Sequence, residues 1–434
     1  MDKMADVLGR AGAWCGQNKY LSAIKNAFQN FMPLTIAGAI GVLWCNVLVN
    51  DQTGLGLFFK PIMALDFLNP AFQAVNFCTI SCITVGITLG IAQEIGVWNM
   101  GAERAGYIPG LVGLAAWLSV TNTSHMVDGA KEAFTGIAGN ELGATGLFTS
   151  MIIGVLSVEL FCFFEKQDAL KIKMPEQVPP GVARAFEVLV PATITLIITA
   201  CIGSACYNLT GLYLNDVIKN GIQGPLGAVG ATIPGVMIIY LVIMLFWLVG
   251  IHGNNMLSAV KEALFTPLAL ENVEAFNKHQ TPKNIINMYA LQMWGEFGGS
   301  GVTIGLVIAI MIFGKREDNK AIATLSLVPG LFNINETVTF GIPMVLNPIL
   351  GIPFVVAPLI TIIIGYVLTV IGFCPVACLT VPWTCPPIVF GFLACGANVM
   401  GAVTQAILIV VSTVIYVPFL ISYEKYQNKQ AAEA

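Results

Sequence analysis

The stretch Leu331-Phe-Asn-Ile-Asn-Glu-Thr-Val-Thr-Phe-Gly-Ile-Pro343 decides how this chain is read. It sets one ionisable residue, Glu336, beside Asn333 and Asn335 in a run that is otherwise apolar. A carboxylate in lipid costs about 3 kcal/mol on insertion scales unless it is hydrated, paired or hydrogen-bonded. Such a group is therefore kept, by default, to handle a polar solute, an ion or a proton. The carboxylate and the two amides make a set of donors and acceptors suited to hydroxyl groups. The plain alternative is a structural carboxylate that caps a re-entrant helix or pairs with a lysine.

The rest of the chain reads as lipid-embedded. Of its 434 residues 56% are hydrophobic and only 10% charged, where soluble domains carry about 25% charged residues. The mean hydropathy is +0.80. Backbone groups in lipid must be satisfied internally, so spans are helices or a closed barrel. Continuous apolar runs select helices, and the expected class is an all-α polytopic membrane protein. Most of the 11 cysteines lie in apolar segments, and there is no CxxC pair or zinc-finger spacing. Buried small hydrophobes are the expected role for them, with no metal and no cofactor. The net charge of −4 says little about partners; no nucleic-acid partner is expected.

Working outward, expected spans lie at 28–49, 71–95, 105–120 and 142–164. The polar segment 122–140, with His125, Asp128, Lys131 and Glu132, reads as a loop. Residues 165–184 are charged and Pro-rich, the sharpest composition shift in the chain. Beyond it, 186–212 and 402–419 read as spans, the latter followed by a polar tail. The remaining apolar pieces are short and interrupted by Gly and Pro, as at 221–250, 285–313, 337–373 and 381–393. Broken membrane helices are tolerated where they are buried in protein or line a watery cavity, and they point to a transporter's substrate site. The expected partition is a scaffold at 1–170, a linker at 171–185 and a transport domain at 186–434. Basic residues in the N-terminal segment, the linker, Lys315–Lys320 and the tail place all four in the cytoplasm. No cleavable signal peptide is expected: Met1–Lys25 is amphipathic, and the apolar run that starts near Phe28 reads as a retained first membrane helix.

Three further groups stand out. His252, in Trp247-Leu-Val-Gly-Ile-His-Gly-Asn-Asn255, ends an apolar run. It is either a satisfied core histidine or a functional one; no second ligand stands near it at metal spacing. Glu296 with Gly298, Gly299 and Gly301 reads as a hairpin tip where backbone amides approach a ligand, or as a tight turn with a solvated carboxylate. Trp383, between Pro382 and Thr384, could cover a sugar ring or sit at the membrane interface. A nucleotide-binding GxxxxGK[ST] loop is absent.

Asn333-Ile-Asn-Glu-Thr…Phe340-Gly-Ile-Pro-Met-Val-Leu-Asn-Pro348 resembles the signature of membrane IIC components of the bacterial phosphoenolpyruvate:sugar phosphotransferase system, in the lactose/cellobiose/diacetylchitobiose group. Matching pieces are Ala23-Ile-Lys-Asn-Ala-Phe28, Met32–Ala39, Val178–Glu187, Gly250-Ile-His-Gly253 and Val381–Pro387, in the same order along nearly the whole chain. The resemblance implies about ten membrane helices with re-entrant hairpins, an N-terminal dimerisation domain and a homodimer in the inner membrane. It also implies elevator-type movement of a mono- or disaccharide, whose 6-hydroxyl takes phosphate from a separate IIB protein fed by IIA. Glu336 would hold and deprotonate that hydroxyl, with His252 as a second polar contact and Asn333, Asn335 and Trp383 around the sugar. Two departures are visible. Thr337 stands where the family commonly has Pro. Four clear spans precede the linker where five are implied, so either a helix lies near the N-terminus or in 122–140, or the linker is on the other side. Two other functions fit the residues alone: a proton- or sodium-coupled symporter using Glu336, and an intramembrane glycosidase using Glu336 and Glu296 as paired carboxylates.

Overall fold

The computed structural model describes residues 10, 14, 17–51, 55–125, 134–175, 177–225, 230–342 and 344–433. Asp128, Lys131, Glu132 and Pro343 lie outside the described residues. The chain is mostly helical and divides into two compact units. One unit comprises Gln17–Gly38 and Ala74–Ala228, the other Met1–Gly16, Ala39–Gln73 and Val229–Ala434. Among the described residues, five helices are long and apolar enough to cross a membrane, or up to seven if each bent pair is one span.

Along the chain, α1 (Lys19–Leu43) runs into a π turn at Trp44–Leu48. The span expected at 71–95 is broken. A 3-10 stretch, α2 (Asn69–Asn76) and a π turn (Phe77–Ser81) meet α3 (Ile83–Met100) at 41°. Next come α4 (Ile108–Val120), α5 (Ala144–Glu165) and α6 (Pro180–Thr210). Between α4 and α5 a two-residue ladder pairs β1 (Ser124–His125) with β2 (Phe134–Thr135) in antiparallel register.

Small residues let these helices approach closely, as membrane packing requires. A methyl on Gly113 would sit 2.3 Å from the Ala92 side chain, and one on Gly96 would sit 2.2 Å from Pro109. Trp117, Ala116, Val120 and Ile153 form the centre, with Leu196 and Leu214 packed on it. Where α5 ends and α6 begins, Glu165 accepts from Arg104 Nε at 2.8 Å and Arg184 Nη1 at 2.9 Å. Glu187 takes the second donor of Arg104 and also pairs with Arg184. This four-residue network ties both ends of the charged segment to the α3–α4 turn.

In the second unit, α7 (Ile233–Leu248) leads to α8 (Ser258–Asn277). A bent pair follows, α9 (Met288–Gly295) and α10 (Ile304–Phe313), crossing at 59° around a glycine turn. Then come α11 (Glu317–Leu331), the short α12 (Glu336–Gly341), α13 (Gly351–Val370), the short α14 (Val389–Ala394) and α15 (Val399–Glu433). The tail expected to be merely polar is the last part of the 35-residue α15. Glu424 on that helix accepts from the backbone N–H of Lys315 and from Asn319, so the first turn of α11 and the residues just before it hold it. The segments 344–350 and 373–388 are irregular, the form expected where Pro and Gly interrupt an apolar run.

Candidate functional site

Glu336 is the first residue of α12, and its side chain is 46% exposed. His252 lies in the turn after α7, with Nε2 3.8 Å from Glu336 Oε1. The tautomer follows from the other ring nitrogen. Nδ1 accepts the Asn255 backbone N–H at 3.2 Å, so in the neutral ring Nε2 carries the proton and presents it to the carboxylate. Burial pushes the His252 imidazolium below its ordinary range, partly offset by Glu336. The Trp247 ring packs on the imidazole, with centroids 4.4 Å apart. Gly253 is required there because a Cβ would fall 2.0 Å from the Ile243 carbonyl oxygen.

The two asparagines just before Glu336 act mainly on backbone. Asn333 has φ +62. Its amide nitrogen donates to the carbonyls of Trp383 and, at 3.1 Å, Cys385, while its oxygen accepts the Gly298 N–H at 2.6 Å. Asn335 is buried and donates to the Ser300 carbonyl at 2.8 Å and to Thr339 Oγ1 at 3.2 Å. Together they fasten the Glu336 segment to the glycine turn and to the loop carrying Trp383. Trp383 is 44% exposed.

The glycine turn is tight. Gly298, Gly299 and Gly301 have φ of +69, +86 and +78, and a Cβ on Gly299 would lie 2.6 Å from the Asn335 side chain. Glu296 is not solvated. Its side chain is 16% exposed, forms an ion pair with Lys261 and accepts the Tyr240 hydroxyl at 2.7 Å. Lys261, on α8, is 8% exposed and also lies 5.7 Å from the Tyr240 ring centroid. Lys261 and Tyr240 are members of the site that sequence reasoning passed over. The only signal for Lys261 was a charge on a helix that is otherwise rich in buried positions. No group of three or more His, Cys, Asp or Glu able to hold a metal occurs among the described residues.

The site therefore offers a half-exposed carboxylate, an imidazole N–H turned to it, an exposed indole and a neutralised Lys–Glu pair beside them. The family model described as "Phosphotransferase system, EIIC" matches residues 25–358. The chain belongs to that EIIC family. As an EIIC component it is a sugar-specific membrane permease of the cellobiose/lactose group, and the match does not favour the ion-coupled symporter.

This EIIC chain is 32% identical to the oligo-beta-mannoside-specific EIIC component of Bacillus subtilis (strain 168), over 98% of this chain and 94% of that one. It is 30% identical to the cellobiose-specific EIIC component of Lactococcus lactis subsp. lactis (strain IL1403), over 98% of both. The fold matches the crystal structure of the transporter ChbC, the IIC component from the N,N'-diacetylchitobiose-specific phosphotransferase system. The TM-score is 0.88, with 29% identity over 97% of each chain.

Proposed function

We propose that this EIIC carries a β-linked disaccharide or a related glucoside through the membrane and presents its 6-hydroxyl to a phosphorylated IIB protein. The observation that carries the reading is the Glu336–His252 pair: an accessible carboxylate with a neutral N–H donor 3.8 Å away. A hydroxyl entering between them can donate to Glu336 and accept from His252 Nε2. Phosphoryl transfer asks mainly for positioning of the nucleophile in line, with proton removal as the bond forms. Glu336 holds the oxygen and takes the proton. Trp383 offers an apolar face to a sugar ring, and Glu296 stays a constrained acceptor near the glycine turn. The β-linked substrate class rests on the specificities of the relatives.

In the same reading the residues up to about 170 form the dimer interface of a homodimer, 171–185 is a cytoplasmic linker, and 186–434 moves the sugar as an elevator. The termini are cytoplasmic, and IIA recharges IIB.

The test is Glu336→Gln in vesicles supplied with phosphorylated IIB. The amide keeps the shape but accepts no proton, so phosphorylated sugar should form about 10²-fold or more slowly, within the range of general-base contributions. His252→Ala should cost less. Near-normal coupled uptake by Glu336→Gln would refute the assigned role.

A further inference from the structure

Three cysteines gather in the second unit, away from the proposed chemistry. Cys374 follows α13 and Cys395 ends α14. Their Sγ atoms lie 3.8 Å apart, and both residues are buried. Each thiol also approaches the Pro375 carbonyl oxygen, at 3.4 and 3.3 Å. One acceptor thus keeps the two sulfurs side by side. Cys395 has little freedom to turn away. Its Sγ is 3.8 Å from Met293 Sδ, and a Cβ on Gly401 of α15 would fall 2.9 Å from it.

The backbone around the pair is already fastened. The N–H groups of Cys378 and Leu379 donate to the Ala394 carbonyl at 2.7 and 3.1 Å. Asn272 and Asn287 clamp the Ala377 carbonyl at 3.0 and 3.2 Å. Closing from 3.8 Å to a disulfide bond of about 2.0 Å therefore falls to side-chain torsions.

We propose that Cys374 and Cys395 are a modification site: a dithiol that hydrogen peroxide converts to a disulfide. The Cys374 thiolate attacks one peroxide oxygen, the O–O bond breaks, and the departing hydroxide leaves as water, giving a sulfenic acid. The Cys395 sulfur then attacks the Cys374 sulfur, the S–O bond breaks, and the Cys395 proton leaves with that oxygen as the second water. Two thiols lose two electrons and two protons, and one peroxide becomes two waters. Cys374 is the first to react because its contact with the Cys395 thiol brings its own thiol down to about 7. Burial pushes the neighbouring Cys378 thiol up to about 12, so the third cysteine stays protonated and does not compete. The ring closed by this bond contains Trp383 and Cys385, whose carbonyls receive the Asn333 amide. The cross-link thus sits at the base of the loop that borders the sugar site.

The full chain in detergent is treated with hydrogen peroxide, its free thiols are alkylated after denaturation, and the digest is weighed by mass spectrometry. The expected product is a Cys374–Cys395 linked peptide, two hydrogens lighter than the separate peptides and lost on dithiothreitol treatment. Cys374→Ala and Cys395→Ala should each abolish it. Sugar uptake should fall several-fold on oxidation of the unmodified protein, recover with dithiothreitol, and stay unaffected by peroxide in a folded Cys374→Ala protein. The proposal is overturned if both thiols are fully alkylated after peroxide, or if either is linked to another cysteine. The mass measurement on the unsubstituted chain decides this even if a variant fails to fold, and it does not depend on the sugar or on IIB.

Discussion

Replacing Lys261 by Met tests whether the Lys261–Glu296 pair is the internal support of the site. The two side chains are 8% and 16% exposed, so water screens little of the interaction. Lys261→Met removes the counter-charge and leaves Glu296 with one described donor, the Tyr240 hydroxyl at 2.7 Å. Stranding one member of a buried pair costs about 3–5 kcal/mol. At about 2 °C per kcal/mol for a unit of this size, the melting temperature should fall by about 6–10 °C. Glu296→Gln should cost a similar amount, because it strands the ammonium instead. The double substitution removes both charges while Tyr240 still donates to the new amide oxygen. It should recover to within about 1 kcal/mol of the starting protein, a coupling well above 2 kcal/mol where independent sites would simply add. The assay is thermal unfolding in detergent for all four proteins, with sugar affinity measured in parallel. If Lys261→Met costs under about 1 kcal/mol, or the double substitution is the sum of the singles, the pair is not a desolvated couple and the account of Glu296 fails. If stability recovers while affinity stays lost, Glu296 also touches sugar.

Gly301→Ala should destabilise by about 1–2 kcal/mol from its left-handed backbone alone, and more from the methyl set 2.3 Å from the Phe354 ring; a melting curve within about 1 °C of the original would contradict this. Arg184→Met removes one of two donors to the buried Glu165 and should cost about 2 kcal/mol, read by the same melt, with sugar affinity unchanged. Sugar binding should weaken as pH falls below the ordinary histidine value of 6.5. A protonated His252 can no longer accept the Asn255 N–H and draws Glu336 into a charge pair. Because burial holds its value down, the step lies below 6.5, and His252→Asn should remove it from a calorimetric pH series.

What was legible in the sequence were residues that clash with their surroundings. Glu336, His252 and Glu296 each interrupt an apolar run, and insertion cost alone marks them as functional or paired. The glycines at 298, 299 and 301 announced a turn because no other residue relieves a positive φ without strain. Lys261 and Tyr240 were hidden for the opposite reason. A lysine on a mixed helix reads as a solvated face, and a tyrosine inside α7 reads as core. Only a contact across 35 or 56 positions of chain brings them to Glu296. The helix plan was readable wherever runs were continuous, as in α5 and α6. The break inside 71–95 was not legible, because a π turn and a 41° bend leave no mark in an apolar run.

The asparagines change the physical account of Glu336. Sequence supplies an inventory of donors but not their direction, and hydroxyl recognition is the natural reading of two amides beside a carboxylate. In the structure Asn333 and Asn335 spend these donors on the carbonyls of Trp383, Cys385 and Ser300. They act as staples that bring two loops to the glutamate from either side. This also accounts for how Thr337 can stand where the resemblance implies proline. It is the second residue of α12, where the backbone N–H has no acceptor within its own helix and either residue fits. The path of the chain at Glu336 is set by Asn333 in its left-handed conformation and by the buried Asn335. The glutamate itself stays half-exposed on a backbone that these two amides hold, which is the arrangement the proposed role at the sugar hydroxyl asks for.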